Sequence, residues 1–149
     1  MKKYILVVLV LSSCVSSEKL FTSIEHSNQD NYGYSVENPI LIGHSANWQK
    51  NTDFALLYLS KLQYNGVPLK LILHASVKKP SDQPRKPQSI TTRWGTPLSL
   101  GAEFLDLYIV APIGAQDTLH LYFDVEIKGE IKIPKGMTFD IQQSNNIFQ

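Results

Sequence analysis

The stretch "VPLKLILHASVKK", residues 67–79, decides the fold of this 149-residue chain. Its side chains alternate between two sets. The first set is Val67, Leu69, Leu71, Leu73, Ala75 and Val77, and the second is Pro68, Lys70, Ile72, His74, Ser76 and Lys78. A period of two over a dozen residues indicates a long strand with one face buried and the other in water. The stretch therefore predicts a sheet at the centre of the domain.

Two further strands follow at residues 104–113 and 119–129, and the five residues 114–118 between them predict a hairpin. In the second strand the predicted inward residues are Leu119, Leu121, Phe123, Val125 and Ile127, and the predicted outward ones are His120, Tyr122, Asp124, Glu126 and Lys128. Shorter strands are predicted within residues 32–43 and 130–133. Pro39 lacks a backbone donor, so the first of these belongs at an edge of the sheet.

A single helix is predicted from about Asp53 to Gln63. Phe54, Leu57, Tyr58 and Leu62 fall near helical spacing, Thr52 is a candidate N-cap, and Asn65-Gly66 ends the segment. The predicted fold class is therefore α+β, with one helix packed on an antiparallel sheet of four or five strands. We expect this domain to span residues 32–141, followed by a polar tail at 142–149.

The first fourteen residues, "MKKYILVVLVLSSC", have the layout of a secretory signal. Lys2 and Lys3 precede an apolar run from Tyr4 to Leu11, and this run is too short to cross roughly 30 Å of hydrocarbon. The alternative is an apolar N-terminal strand with an ordinary buried thiol at Cys14. The run has no polar alternation and Cys14 is the chain's one cysteine, so we favour the signal.

Leu11-Ser12-Ser13-Cys14 resembles the lipobox of bacterial lipoproteins. The resemblance implies cleavage after residue 13, a diacylglycerol on the Cys14 thiol, a fatty acyl group such as palmitate on the new amine, and attachment to the membrane. Val15 stands where an aspartate would favour the inner membrane, so the outer membrane is expected. Residues 14–31 are predicted to be the lipidated N-terminus and a polar, flexible spacer that reaches up to roughly 50 Å.

The charge balance argues against a nucleic-acid partner. The formal charge is +1, and loss of Lys2 and Lys3 with the signal changes it to about −1, whereas nucleic-acid binding calls for a clearly basic face. One cysteine cannot form an intramolecular disulfide, so the domain must be stabilised by its own core. The sequence contains no recognisable cofactor motif, and we predict neither a cofactor nor a metal.

Tyr32-Gly33-Tyr34, Asn38-Pro39-Ile40 and Gly43 form a further pattern. It is similar to a family of small exported bacterial proteins, often lipoproteins, whose function is uncharacterised. The similarity continues through "FALLYLSKLQYNG", "LDLYIV", "LHLYFDVE" and "IPKGMTF". This resemblance implies an exported lipoprotein, and it implies no ligand and no reaction.

A basic, proline-rich loop is the first candidate contact surface. Its residues are Lys78, Lys79, Arg85, Lys86, Arg93 and Trp94. Such a loop is suited to an acidic protein, a glycan or anionic headgroups. The alternative is an ordinary solvated connection whose tryptophan packs back onto the sheet.

His74, His120 and Asp124 are the candidate chemical groups. Residues four apart on a strand are about 13 Å apart, so His120 and Asp124 need a residue from another strand to form a site. A small metal-dependent or acid/base hydrolase would require His74 and His120 to face each other across neighbouring strands, with Cβ atoms within about 7 Å. We expect instead a non-enzymatic, lipid-anchored domain that binds an envelope protein or glycan through the loop or an open sheet edge. An immunity-type lipoprotein that blocks a toxin in the periplasm is a further alternative.

Overall fold

The computed structural model describes Phe21 and residues 23–82, 90–91, 97–98 and 104–142. The predicted signal, Cys14, and the loop residues Arg85, Lys86, Arg93 and Trp94 lie outside the described residues, as does the predicted tail beyond residue 142. In chain order the elements are β1 (Ile40–Leu41), α1 (Trp48–Lys61), β2 (Leu62–Tyr64), β3 (Val67–Lys78), β4 (Ile90–Thr91), β5 (Pro97–Leu98), β6 (Phe104–Pro112), β7 (Leu119–Asp124) and β8 (Met137–Phe139). The described chain is thus α+β, as predicted.

Six strands form one sheet in the order β1-β7-β6-β3-β2-β8. β1 runs parallel to β7, and the other neighbouring strands are antiparallel. β4 and β5 pair with each other in a separate two-stranded ribbon. The predicted antiparallel sheet of four or five strands is therefore corrected to a mixed sheet of six. The short strands β2 and β8 were missed because three residues are too few for an alternating pattern to show.

β3 covers residues 67–78 of the predicted segment, and a β-bulge interrupts its alternation at Ile72. Leu71 pairs with Val110 while Leu73 pairs with Ile109, so Ile72 is an extra residue on β3. A one-residue insertion moves every following side chain to the other face of the sheet. The predicted facing is therefore correct up to Leu71 and reversed from Leu73 onward. Ala75 and Val77 nevertheless stay half-buried on the other face, whereas His74, Ser76 and Lys78 are exposed.

The N-cap of α1 lies five residues before the predicted one. Asn47 is the observed N-cap, and its side chain accepts hydrogen bonds from the backbone N–H groups of Gln49 and Lys50. Thr52 lies inside the helix, where its hydroxyl donates to the carbonyl of Trp48. Asparagine is a stronger N-cap than threonine, which favours the observed start after Asn47.

One face of the sheet packs against α1, and we call it the core face. The helix contributes Phe54, Tyr58 and Leu59 to a core whose strand residues include Leu69, Tyr108, Val110, Leu121 and Phe123. The Phe123 ring makes edge contacts with Tyr58 and Tyr108, at centroid distances of 5.9 and 5.2 Å. Burial of such side chains stabilises the fold by about 1.5–3 kcal/mol each.

Phe21 belongs to the folded domain, eleven residues before the predicted start at residue 32. Phe21 is 1% exposed and its ring stacks on Phe54 at a centroid distance of 4.8 Å. Farther along, His26 bridges to Ile133, and this bridge replaces the strand predicted at 130–133. The predicted spacer 14–31 is therefore too long at its C-terminal end, because isolated apolar residues in a polar stretch did not indicate burial.

Candidate functional site

His74 and His120 lie on opposite faces of the sheet. His74 pairs with Tyr108, whereas His120 pairs with Ile109, the next residue of β6. Directly paired side chains share a face, and successive residues of one strand point to opposite faces. The strand β6 also separates β3 from β7. The two histidines therefore do not converge, and the geometry that the hydrolase hypothesis requires is not formed.

His74 belongs instead to a cluster with Asp106 and Tyr108 on the core face. The His74 ring stacks on the Tyr108 ring at 4.4 Å and 3°, and its Nε2 atom lies 3.6 Å from Oδ1 of Asp106. Burial raises the pKa of Asp106, and the nearby His74 partly opposes this rise. Burial and then the Asp106 carboxylate raise the pKa of Tyr108. The bulge at Ile72 creates this cluster, because it turns His74 toward the core face.

Lys79 and Asp124 form a buried ion pair on the opposite face of the sheet. The Lys79 Nζ and Asp124 Oδ2 atoms are 2.6 Å apart, and the two side chains are 0% and 3% exposed. The other oxygen, Oδ1, accepts hydrogen bonds from the backbone N–H groups of Glu126 and Ile127 at 3.0 and 3.1 Å. The carboxylate therefore both neutralises Lys79 and holds the turn at the end of β7.

This pair corrects two predictions. Lys79 was expected to bind a partner and Asp124 was expected on the solvated face, but each neutralises the charge of the other inside the protein. Of the predicted basic loop, Lys78 is described and exposed. Arg85, Lys86, Arg93 and Trp94 lie outside the described residues, and their part in binding stays a prediction.

β3 has one paired edge and one open edge within the described residues. β6 pairs along residues 69–78 on one side, while on the other side β2 pairs with Val67 and Pro68 at the start of the strand. Ile72 and Leu73, at the bulge, are each 51% exposed. The unpaired N–H and C=O groups of such an edge can pair with another strand. The open edge of residues 69–78 is therefore a candidate contact surface.

A cleft of about 220 Å³ lies beside Gly43. Its lining includes Ser23, Ile24, His44, Phe54 and Lys128. Gly43 also lines the cleft and lies against the backbone of residues 126–127. A Cβ atom on Gly43 would lie 2.6 Å from the carbonyl carbon of Glu126. The His44 ring packs on Phe54 at 4.3 Å and forms part of one wall.

The residues of the Tyr-Gly-Tyr and Asn-Pro-Ile pattern have structural roles. The Tyr32 hydroxyl accepts a hydrogen bond from the Lys132 backbone N–H, and the Tyr34 hydroxyl donates to the carbonyl of Lys135. Gly33 adopts a φ of +77°, a value that favours glycine, and its N–H donates to the carbonyl of Asn38. The pattern thus attaches the N-terminal segment to residues 132–135, between β7 and β8.

The described residues contain no group of three or more His, Cys, Asp or Glu side chains placed to hold a metal ion. In the same part of the chain, none of the helices has the length and apolar character needed to cross a bilayer. Comparison of the chain with protein-family models, with curated proteins and with solved structures finds no match in any of the three.

Proposed function

We propose that this protein is a lipid-anchored component of the bacterial cell envelope, with the outer membrane favoured, whose domain binds a partner protein along the open edge of β3. The anchor rests on the sequence alone: a cationic start, a short apolar run and Leu11-Ser12-Ser13 directly before Cys14. The binding role rests on the exposed edge of β3. These two parts of the proposal are tested separately.

The observation that supports binding is the joint exposure of Ile72 and Leu73 on an unpaired strand edge. Full burial of one such side chain contributes about 1.5–3 kcal/mol, and each is half-exposed here. A paired partner strand would add several main-chain hydrogen bonds, each worth about 0.5–1.5 kcal/mol net. Together, the burial and the hydrogen bonds contribute several kcal/mol of favourable association free energy, which the entropic cost of association then reduces.

The charge of the edge indicates the kind of partner. Lys70, His74 and Lys78 lie along β3, and residues 67–78 contain no Asp or Glu. An extended peptide segment that carries acidic residues would complement this edge and form regular main-chain hydrogen bonds with it. A glycan has no comparable ladder of donors and acceptors, so of the two expected partner classes a protein fits the edge better.

Site-specific photo-crosslinking of the full-length protein in its own envelope tests the binding role. We expect a discrete crosslinked product from a photo-reactive residue at Ile72, Leu73 or Ser76. Matched controls at Gln116, in the β6–β7 turn, and at Thr138, on β8, are also exposed and should give none. Charge reversal by Lys70→Glu and Lys78→Glu should abolish the product. Equal crosslinking from the edge and the control positions would contradict the proposal.

The anchor is tested by the Cys14→Ser variant and by intact mass. We expect the wild-type protein to begin at Cys14 with an added lipid mass and to sediment with membranes, and we expect the variant to be released. A free thiol on a chain that still begins at Met1 would disprove the anchor. This result would leave the crosslinking test of the β3 edge unaffected.

A further inference from the structure

After the bulge, the two faces of β3 carry different kinds of side chain. His74 lies on the core face, where its ring stacks on Tyr108. Ser76 and Lys78 share this face, because they follow His74 at intervals of two residues. The residues between them lie on the other side of the sheet, which we call the outer face, and they are Leu73, Ala75 and Val77. Residues 73–78 are thus polar on the core face and apolar on the outer face.

The outer-face side chains are accessible to a partner. Leu73 is 51% exposed, and Ala75 and Val77 are half-buried. On the neighbouring strand β6, Ile109 pairs with Leu73 and Leu107 pairs with Ala75, and both β6 residues are also half-buried. The apolar surface therefore continues across two strands. A strand added at the open edge of β3 would extend this surface, and apolar side chains on its outer face would remove apolar area from water.

The core-face side chains of the same segment favour polar neighbours. His74, Ser76 and Lys78 are all exposed. The Nε2 atom of His74 already lies 3.6 Å from Oδ1 of Asp106. Lys78, by contrast, forms no ion pair with any residue that the structure describes. A carboxylate on a partner strand would therefore find its counter-charge at Lys78.

A strand that pairs with residues 73–78 must alternate its own side chains between the same two faces. We infer that the partner segment is an amphipathic strand, with alternate apolar residues on the outer face and polar residues between them, of which one is acidic and lies beside Lys78. The inference rests on the proposed binding role of the β3 edge. It applies after the bulge only, because before the bulge Lys70 lies on the outer face.

The order of residues in the partner, and not its composition, is the property that this edge selects. A slide of one residue turns every side chain of a strand to the other face. An alternating sequence therefore always has a register that places its apolar residues on the outer face, whichever way the strand runs. A sequence in which apolar and acidic residues come in adjacent pairs has no such register, since each pair places one acidic residue on the outer face.

Peptide binding to the full-length protein in a non-ionic detergent tests this inference, with fluorescence anisotropy of labelled peptides of about eight residues. The first peptide alternates Glu and Val, and the second has the same composition in the order Glu-Glu-Val-Val. The third alternates Glu and Thr, which keeps the charge and replaces a methyl group by a hydroxyl. We expect the first peptide to bind at least about tenfold more tightly than either of the others.

Two variants of the protein test the position of the acidic residue. Lys78→Glu should weaken binding of the Glu-Val peptide at least about fivefold, because it places like charges side by side. The matched control is Lys128→Glu, the same charge reversal at an exposed lysine after β7, which β6 separates from β3. This control should leave binding unchanged. Equal weakening by both variants would show that net charge alone attracts the peptide and would overturn the placement beside Lys78.

Crosslinking to the Glu-Val peptide reports the facing directly. A photo-reactive residue at position 73, on the outer face, should attach to valine, and one at position 76, on the core face, should attach to glutamate. Fragmentation mass spectrometry identifies the attached residue. The reverse assignment, or attachment to both residue types from each position, would overturn the inference.

The outcomes separate the partner pattern from the binding role. Equal affinity for the alternating and the paired peptides, or no binding of the alternating peptide, overturns the inference. If crosslinking in the envelope still gives a discrete product from the β3 edge, the binding role stands with a partner of another pattern. Equal envelope crosslinking from the edge and from the control positions removes the binding role and the inference together.

Discussion

Lys79→Met should destabilise the domain far more than the same change at the adjacent Lys78. The Lys79 Nζ atom lies 2.6 Å from Asp124 Oδ2, and both side chains are almost fully buried. Removing one member of a buried ion pair typically costs about 3–5 kcal/mol, because the other charge stays buried without its partner. Two backbone N–H groups still stabilise the Asp124 carboxylate, so we expect about 3 kcal/mol. Lys78 is exposed, and Lys78→Met should change the stability by less than about 0.5 kcal/mol.

Urea unfolding of the chain from Val15 onward, followed by circular dichroism, measures both variants. With an m value of about 1.5 kcal/mol/M, a loss of 3 kcal/mol lowers the midpoint by about 2 M. Asp124→Asn should cost about 3–5 kcal/mol, because it leaves the Lys79 ammonium buried without a counter-charge. The double variant Lys79→Met/Asp124→Asn should lose less than the sum of the two single variants. A Lys79→Met midpoint equal to that of Lys78→Met would refute the buried ion pair.

Three further changes test other parts of the structure. Phe21→Ala should lower the free energy of unfolding by about 3–5 kcal/mol in urea titrations. The control is Ser23→Ala, at an exposed residue. If Phe21→Ala lowers the free energy of unfolding no more than this control does, the fold starts after residue 21. Gly43→Ala should lower the melting temperature, since the added Cβ would lie 2.6 Å from the Glu126 carbonyl carbon; an unchanged melting temperature would contradict that close approach. Burial raises the pKa of Asp106, which means that the folded protein favours the protonated carboxyl. The stability that this preference contributes is present below the usual aspartate pKa, and it is lost as the pH rises through the folded-state pKa. The stability of Asp106→Asn relative to wild type should therefore be greater at pH 7 than at about pH 3, and urea midpoints that show the reverse order would contradict the raised pKa.

The long elements of the fold can be predicted from local patterns in the sequence. β3, β6 and β7 were predicted because each contains at least six residues with recurring apolar positions, and α1 was predicted from the spacing of Phe54 and Tyr58. The bulge at Ile72 was not predictable in the same way. The two sets in residues 67–78 alternate without a break, and only the pairing of Leu71 with Val110 and Leu73 with Ile109 reveals the extra residue. The sequence pattern of one strand contains no information about the register of its neighbour.

The polar clusters depend on contacts that the sequence pattern does not contain. Lys79 and Asp124 are 45 positions apart. Each lies at the end of a run of alternating residues, where a charged side chain is expected to be exposed. Their burial depends on the order β7-β6-β3, which brings the ends of two non-adjacent strands to the same side of the sheet. His74 was noted from the sequence, but its partners Asp106 and Tyr108 were not, because the bulge determines which face it occupies.

The length of the open β3 edge distinguishes a paired strand from a local contact. Lys78 pairs with Phe104 at one end of β6, whereas Pro68 accepts a hydrogen bond from Ile113 beyond the other end. A partner strand paired along residues 69–78 would therefore extend for roughly 30 Å. Photo-crosslinks to the same partner from position 78 as well as position 70 would agree with that arrangement. Crosslinks confined to one of the two positions would show that the partner contacts only part of the edge and does not pair along it.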